Sequence, residues 1–318
     1  MNLSLVGCLG MSIRGVLGEF KRSVQTTRDQ WPEEKRIRVA MEQYKKAQGY
    51  SFDIHNPQLF TEKIVWYKLF YKKPDLQRIV DKYLFKGYIE ERMESKEYTI
   101  PLYGVWETVD SLRKAWSNLP EEFCLKSTLM SDSRGIIMVH DKSSTDLDGI
   151  CREVVHWLKP YNTLINSFCR AYYGTKPRII AEEFMSEIDE QLYDYKFLCF
   201  DGVPKYIYTY KNRFSEGDNA SEDYELTYYD IEWKKQDAVI GGHKNGNAPK
   251  PKHFEEMIEI AQKLSSGLPF VRVDFYEFRN RVYVGEMTLY PHGGLLSYEP
   301  KAFNQQLGND LILPLSNG

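Results

Sequence analysis

Two runs of strand-forming residues, DYKFLCF and PKYIYTY, flank the dipeptide Asp201-Gly202. Asp-Gly between such runs is a strong signal for a two-residue hairpin, because both positions tolerate the positive φ that a tight turn of the right twist requires. The strand pattern also extends to either side. RIIAEEFM precedes the hairpin, and VRVDFYEF and VYVGEMTL follow it around Arg279-Asn280-Arg281. From Arg178 onward the chain therefore reads as a sheet-dominated unit, distinct from what comes before.

The first half carries a different pattern. From about Glu33 to Lys72 apolar residues recur at helical spacing, as in FTEKIVWYKLF behind Pro57, and predict a helical region. After Pro74 a helix is expected around DKYLFKGYIEERM, then an extended TIPLYGVW and a helix over DSLRKAW. FCLK (Phe123 to Lys126) and GIIMVH (Gly135 to His140) read as a strand pair whose polar connecting loop is a candidate lid. Residues 215 to 250 are polar and end in GGHKNGN, which predicts an excursion from the sheet. In PKHFEEMIEIAQKLSSGLP, the residues Phe254, Met257, Ile258, Ala261 and Leu264 share one helical face, and Gly267 and Pro269 stop the helix. The expected class is α+β in three parts: a mainly helical 1–76, a first subdomain 77–177 with the lid, and a second subdomain 178–318 with the C-terminal hairpin.

Composition narrows the function. The 318 residues are 42% hydrophobic, enough for the cores of about two domains. The 42 Lys and Arg nearly balance the 45 Asp and Glu, and no basic block concentrates positive charge, so a nucleic-acid partner is not expected. No apolar stretch approaches the ~18 to 20 residues that cross a bilayer. The first twenty residues lack a basic leader and are broken by glycines. Five cysteines (Cys8, Cys124, Cys151, Cys169, Cys199) without a CxxC pair suit free thiols in a reducing compartment, and a cytoplasmic location is expected.

The most informative constellation is Arg272-x-Asp274 followed by Glu286-x-Thr288. With a three-residue loop, Arg279 to Arg281, Phe278 opposes Val282, Asp274 opposes Glu286 and Arg272 opposes Thr288, all on one face. With a two-residue turn Asp274 would meet Gly285, and Glu286 would point to the other face. Asn280 suits the loop because asparagine tolerates positive φ. Two facing carboxylates repel unless a cation lies between them, and Mg²⁺ is the hard cation that takes a few carboxylates while keeping waters and phosphate oxygens. Against this stands the ordinary reading, a solvated polar face of an amphipathic hairpin.

Upstream stand, in order, Asp81-Lys82, Lys126 ending FCLK, Glu182-Glu183 in RIIAEEFM, and Asp194-Tyr195-Lys196. This series resembles the ATP-grasp superfamily. More closely, NPQLFTEK, the DKY segment, IPLYGVW, LPEEFCLK, RIIAEEFM, DYKFLCFDG, VRVDFYEF and GEMTLYPHGG resemble the TupA-like ATP-grasp family of surface-polysaccharide biosynthesis, from about Asn56 to Gly294. The resemblance implies an ATP-grasp fold, two α+β subdomains gripping ATP, with an N-terminal helical region.

It further implies Lys82 and Lys126 beside the triphosphate, where compact ammonium charges suit phosphate. Glu182 would accept from the adenine amine, with the backbone of Glu183, Phe184 and Met185 along the ring edge, Asp194 at the ribose and Lys196 near the phosphates. Asp274 and Glu286 match the metal positions, and Thr288 stands where many members have asparagine. Arg272 matches the arginine that neutralises the reacting anion, which Arg213 is implied to share. His292 and Gly293-Gly294 follow, where glycine permits close backbone approach.

The implied activity is ATP- and Mg²⁺-dependent conversion of a carboxylate, on a small molecule or the uronic acid of a glycan, to an acyl phosphate that an amine then attacks to give an amide. One departure stands out. The loop after FCLK is STLMSDSRG, with Gly135 its sole glycine, so converging backbone amides contribute less there than Ser131, Ser133 and Arg134. Two other classes stay open: a glycosyltransferase, against which counts the lack of an Asp-x-Asp pair at a strand end, and a non-catalytic nucleotide- or glycan-binding relative, which the altered lid keeps open.

Overall fold

The computed structural model describes residues 28–130, 133–159, 167–185, 193–211, 225–241, 243 and 246–314. It opens with helices α1 (Glu33–Gln48), α2 (Phe60–Phe70), α3 (Leu76–Val80) and α4 (Leu84–Met93). An α+β unit follows: β1 (Leu102–Trp106), α5 (Val109–Ala115), β2 (Phe123–Ser127), β3 (Ile136–Val139), α6 (Leu147–Trp157) and β4 (Ile179–Glu182). The remainder holds β5 (Asp194–Phe200), β6 (Val203–Lys211), β7 (Glu225–Asp230), β8 (Val239–Ile240), α7 (Phe254–Ser265), β9 (Phe270–Phe278), β10 (Arg281–Thr288), β11 (Tyr298–Glu299) and α8 (Lys301–Asp310).

Two antiparallel sheets organise the molecule. One has strand order β1-β4-β2-β3 and the other β10-β9-β5-β6-β7, with β11 and β8 as a separate pair. The first sheet packs against α5 and α6 around Trp106, Leu112, Phe123, Leu125, Val154 and the fully buried Trp157. The second sheet carries the larger core, in which Phe197, Phe254, Met257, Phe270 and Phe275 bring α7 onto one face.

Helix α2 joins that larger core. Phe60 to Leu69 are almost entirely buried, Glu62 and Lys68 included, so the helix has no polar stripe. Its polar groups are met by fixed partners instead. Glu62 accepts from the backbone N–H of Gln58 at 2.8 Å and Leu59 at 3.1 Å, Lys63 donates to the carbonyls of Gly308 and Leu311, and Lys68 donates to that of Gly293 at 3.0 Å. α2 thereby ties the turn Pro291–Gly294 and α8 to the second sheet.

The structure shows the α+β class expected from sequence. It differs in two strand placements. RIIAEEFM does not open the second sheet: β4 lies in the middle of the first, between β1 and β2, with Ile179, Ile180 and Ala181 all fully buried. A central strand buried on both faces reads as a plain apolar run, and nothing local names its partners. Within 215–250, residues Leu226 to Tyr229 are buried and pair with β6 as the edge strand β7, so this part of the expected excursion belongs to the sheet.

A short segment links the sheets. The N–H of Val284 on β10 donates to Tyr98 O at 2.8 Å, and the N–H of Glu183 donates to Pro101 O at 2.9 Å. Residues 98–102 thus run from the edge of one sheet into the edge strand of the other.

Candidate active site

The C-terminal hairpin reaches the expected side-chain pairing by a different backbone route. Its turn is two residues long: Arg281 pairs with Phe278, and Arg279 and Asn280 both adopt positive φ, 48° and 58°. That geometry suits a tight turn whose twist matches the strands. By itself it would set Asp274 against Gly285. A β-bulge between Val284 and Glu286 absorbs one residue, after which Glu286 pairs with Asp274 and Thr288 with Arg272. Gly285 fits the bulge because a Cβ there would lie 2.4 Å from a ring carbon of Tyr276. The three-residue loop is therefore corrected to a two-residue turn plus bulge.

The same row continues across the sheet. Asp274 pairs with Lys196 on β5, Lys196 with Tyr208 on β6, and Tyr208 with Tyr228 on β7. Directly opposed residues share a face, so Tyr228, Tyr208, Lys196, Asp274 and Glu286 form one line over five strands. Asp194, Arg272 and Thr288 flank it two residues along their strands, on the same side.

Charge in this line is dense and matched. Arg272 donates from Nε to Asp274 Oδ1 at 2.6 Å, from Nη2 to Asp274 Oδ2 at 2.7 Å and to Thr288 Oγ1 at 2.9 Å, and from Nη1 to the Tyr208 hydroxyl at 3.0 Å. Lys196 Nζ lies 2.5 Å from Asp274 Oδ2 and 2.6 Å from Asp194 Oδ2. Lys82 Nζ and Arg272 Nη2 approach Glu286 only to 3.6 and 3.9 Å. Burial pushes the Asp274 carboxyl toward the neutral form, but Arg272 and Lys196 outweigh it and hold the group below the usual carboxylate range. Glu286 is likewise lowered: burial opposes ionisation, and Lys82 overcomes it. Burial keeps the Tyr208 phenol well above its ordinary value, so it serves as a neutral hydrogen-bonding group.

A second cluster lies at the end of β4. Glu182, 2% exposed, receives Lys86 Nζ on Oε1 at 2.6 Å and Lys126 Nζ on Oε2 at 2.7 Å. Lys86 also donates to Ile100 O at 2.7 Å, within the segment that links the sheets. Burial lowers the Lys86 ammonium, while Lys126 is raised because the Glu182 charge outweighs desolvation. Glu182 is lowered despite burial, since both lysines stabilise its charge. Lys86 lines a cleft of about 530 Å³ formed with Tyr83, Leu84, Gly87, Ile100 and Leu102.

Comparison with known proteins places this arrangement. Residues 62–312 match the model of the TupA-like ATP-grasp family. The chain belongs to that family. Its fold is similar to that of phosphoribosylamine–glycine ligase from Thermotoga maritima, with 13% identity and TM-score 0.42 over 69% of this chain and 51% of that one. D-cycloserine synthetase DcsG gives 15% identity and TM-score 0.43 over 75% and 72% of the two chains. D-alanine–D-alanine ligase from Helicobacter pylori gives 17% and 0.39 over 74% and 61%. The matched region thus spans about half the length of the Thermotoga enzyme. No curated protein matches the sequence significantly.

In this TupA-like protein the residues singled out from sequence fall into the two clusters just described, with exceptions. Arg213 and the lid residue Ser131 lie outside the described residues. Lys82 donates to Met130 O at 3.0 Å, joining the start of the lid to the Glu286 side of the site. The ring of Phe184 meets His140 edge-on at 4.8 Å, and Met185 packs on the small cluster of Ile100, Phe278 and Tyr283. Gly135 serves packing: a Cβ there would meet Met130 Cβ at 2.8 Å. The two oxygens of Glu182 are engaged by Lys86 and Lys126. Asp194 is buried against Lys196. His292 adopts φ 51° in the turn Pro291–Gly294, a backbone role.

Two residues of these clusters escaped sequence reasoning. Lys86 lies within α4 and reaches Glu182, whereas Lys82, four residues earlier, precedes that helix and faces Glu286 and Met130, so their spacing gave no signal. Tyr208 had none, because counting back from the Asp201-Gly202 turn sets Ile207 opposite Lys196. The true partner follows from a second bulge, where Leu198 pairs with Tyr206 but Cys199 with Pro204.

The hard-oxygen donors of Asp274, Glu286 and Thr288 fit a divalent cation. Glu286, its side chain 29% exposed, has its cationic neighbours beyond hydrogen-bond range, and Asp274 Oδ1 accepts one hydrogen bond and so keeps a lone pair. Among the described residues no group of three or more His, Cys, Asp or Glu forms a metal cage by itself.

Proposed function

We propose that the protein is an ATP- and Mg²⁺-dependent carboxylate–amine ligase that works through an acyl phosphate and forms an amide on a uronic acid or similar carboxylate of a surface glycan. The observation that carries this reading is the row of Lys196, Asp274 and Glu286 with Arg272 locked beside it. A site that merely stabilised the fold would not bury this many charges, since desolvating an ion pair costs about as much as the pair returns. Their concentration on one sheet face is what a polyphosphate and its metal need.

In this reading Asp274 and Glu286 would hold Mg²⁺, which would supply positive charge to neutralise the phosphates. Lys82, Lys126 and Lys196 meet the phosphates, and Lys82 carries the start of the lid with it through Met130 O. Glu182 acts through Lys126, fixing the ammonium toward the nucleotide while the backbone of Glu183 to Met185 lies along the base. Arg272 stabilises negative charge as it develops at the reacting phosphoryl and carboxyl groups, a preorganised role because Asp274 and Thr288 already hold its plane. Arg213 is proposed to share that anion. The turn Pro291–Gly294, tied to α2 by Lys68, is the proposed floor of the carboxylate site.

The test has two arms. Mg·ATP should raise the melting temperature, while UDP-sugars with Mn²⁺ should not, because a ligand stabilises only the folded state it binds. Mass spectrometry of nucleotide sugars and oligosaccharides incubated with the protein, ATP, Mg²⁺ and an amine pool should show condensation with loss of water. Stabilisation by the UDP-sugar alone would replace the ligase by a glycosyltransferase, and nucleotide binding without any ADP release would leave a non-catalytic binder.

A further inference from the structure

A guanidinium has five N–H donors, and the neighbours of Arg272 account for four of them. Nε serves Asp274 Oδ1, the two hydrogens of Nη2 serve Asp274 Oδ2 and Thr288 Oγ1, and one hydrogen of Nη1 serves the Tyr208 hydroxyl. Glu286 Oε2, at 3.9 Å from Nη2, is too distant to take a hydrogen bond. Among the described residues, one N–H, on Nη1, remains for a ligand. The side chain of Arg272 keeps 9% exposure while Tyr208 and Asp274 are 1% and 2% exposed. Arg272 is thus slightly more open to solvent than the two groups that hold it.

We infer that Tyr208 is a positioning residue for the ligase reaction: by accepting from Nη1 it fixes the guanidinium plane from the side opposite Asp274 and aims the single remaining N–H at the phosphoryl group to be transferred. The inference rests on the ligase reading of the site. Tyr208 is suited to this by its place in the sheet. It pairs directly with Lys196 and Tyr228, its ring lies 5.0 Å from that of Tyr228 and 5.6 Å from that of Tyr210, and the Arg272 guanidinium carbon sits 5.9 Å from its centroid. A phenol wedged among rings on a sheet cannot swing, so its oxygen is a fixed acceptor. One free donor also limits what Arg272 can recognise. It makes a single-point contact with a phosphoryl oxygen, and it cannot grip a planar carboxylate with two parallel N–H bonds, which needs both donors of one edge.

The test compares Mg·ATP with Mg·ADP by titration calorimetry on the full-length protein and Tyr208→Phe, which keeps the ring and removes only the acceptor. Affinity for Mg·ATP should fall about tenfold, the effect of losing one hydrogen bond involving a charged group, while affinity for Mg·ADP stays within about twofold. Equal weakening of both nucleotides would mean a purely structural role, and no change in either would mean Arg272 is held without Tyr208; each overturns the inference. Failure of the unmutated protein to bind either nucleotide is a separate result that overturns the ligase reading itself. If Tyr208→Phe does not fold, a crystal structure of the unmutated protein with a non-hydrolysable ATP analogue decides: the terminal phosphoryl oxygen should lie within about 3 Å of Nη1, and an Nη1 turned away from it overturns the inference.

Discussion

Replacing Lys86 by methionine removes a buried ammonium while nearly keeping its length and volume, so the loss is electrostatic more than steric. The ammonium makes two contacts, 2.6 Å to Glu182 Oε1 and 2.7 Å to Ile100 O. Removing one partner of a buried ion pair costs about 3 to 5 kcal/mol because the other charge is stranded. Here Glu182 keeps Lys126 at 2.7 Å, so it is not stranded and the lower end applies. The orphaned Ile100 carbonyl adds roughly 1 kcal/mol, and relief of the desolvation that depresses Lys86 subtracts a similar amount. The expected destabilisation is about 3 kcal/mol, which in a chain of this size lowers Tm by roughly 4 to 5 °C. Equilibrium unfolding in urea should show a lower midpoint with an unchanged slope. In the Glu182→Gln background the same replacement should cost at least about 1 kcal/mol less, because the pair it breaks is already gone. A loss below about 1 kcal/mol for Lys86→Met, or full additivity with Glu182→Gln, would refute the account of Glu182 as a carboxylate held between two lysines.

Three other outcomes follow from the geometry. Glu182 titrates below its ordinary value when folded, so the native state binds fewer protons than the unfolded one; its stabilisation is complete above about pH 4.5 and is lost as pH falls through the lowered value. Glu182→Gln should flatten the acid limb of stability against pH, and an unchanged limb would contradict this. Gly285→Ala puts a Cβ 2.4 Å from the Tyr276 ring and should cost about 1 to 3 kcal/mol while weakening stabilisation by Mg·ATP, because the bulge sets the partner of Asp274. Gly294→Ala meets Thr61 O at 2.5 Å with φ at +75°, so about 2 to 3 kcal/mol should be lost in urea unfolding; a variant as stable as the parent would show that the turn is not fixed by α2.

Local chemistry was enough to place most elements and to collect the charged residues. The Asp201-Gly202 turn, the α7 face of Phe254, Met257, Ala261 and Leu264, and the helical stretch before Pro74 are all set by neighbours within one or two turns of chain. The order of the motifs likewise pointed to the family. Register was another matter. Strand pairing depends on single-residue insertions, and both site hairpins contain one, at Gly285 and between Pro204 and Tyr206. A bulge is chosen by what packs over it, here the ring of Tyr276, and that ring is nine residues away in sequence and directly against the backbone in space. The same holds for β4, whose apolar residues say that it is buried but not between which strands, and for Lys86 and Tyr208, which gain their roles only when Glu182 and Arg272 are brought to them by long-range pairing. Sequence alone determined which residues carry charge and which segments extend or coil; tertiary packing decided which side chains face one another, because alternation along a strand turns one inserted residue into a change of face.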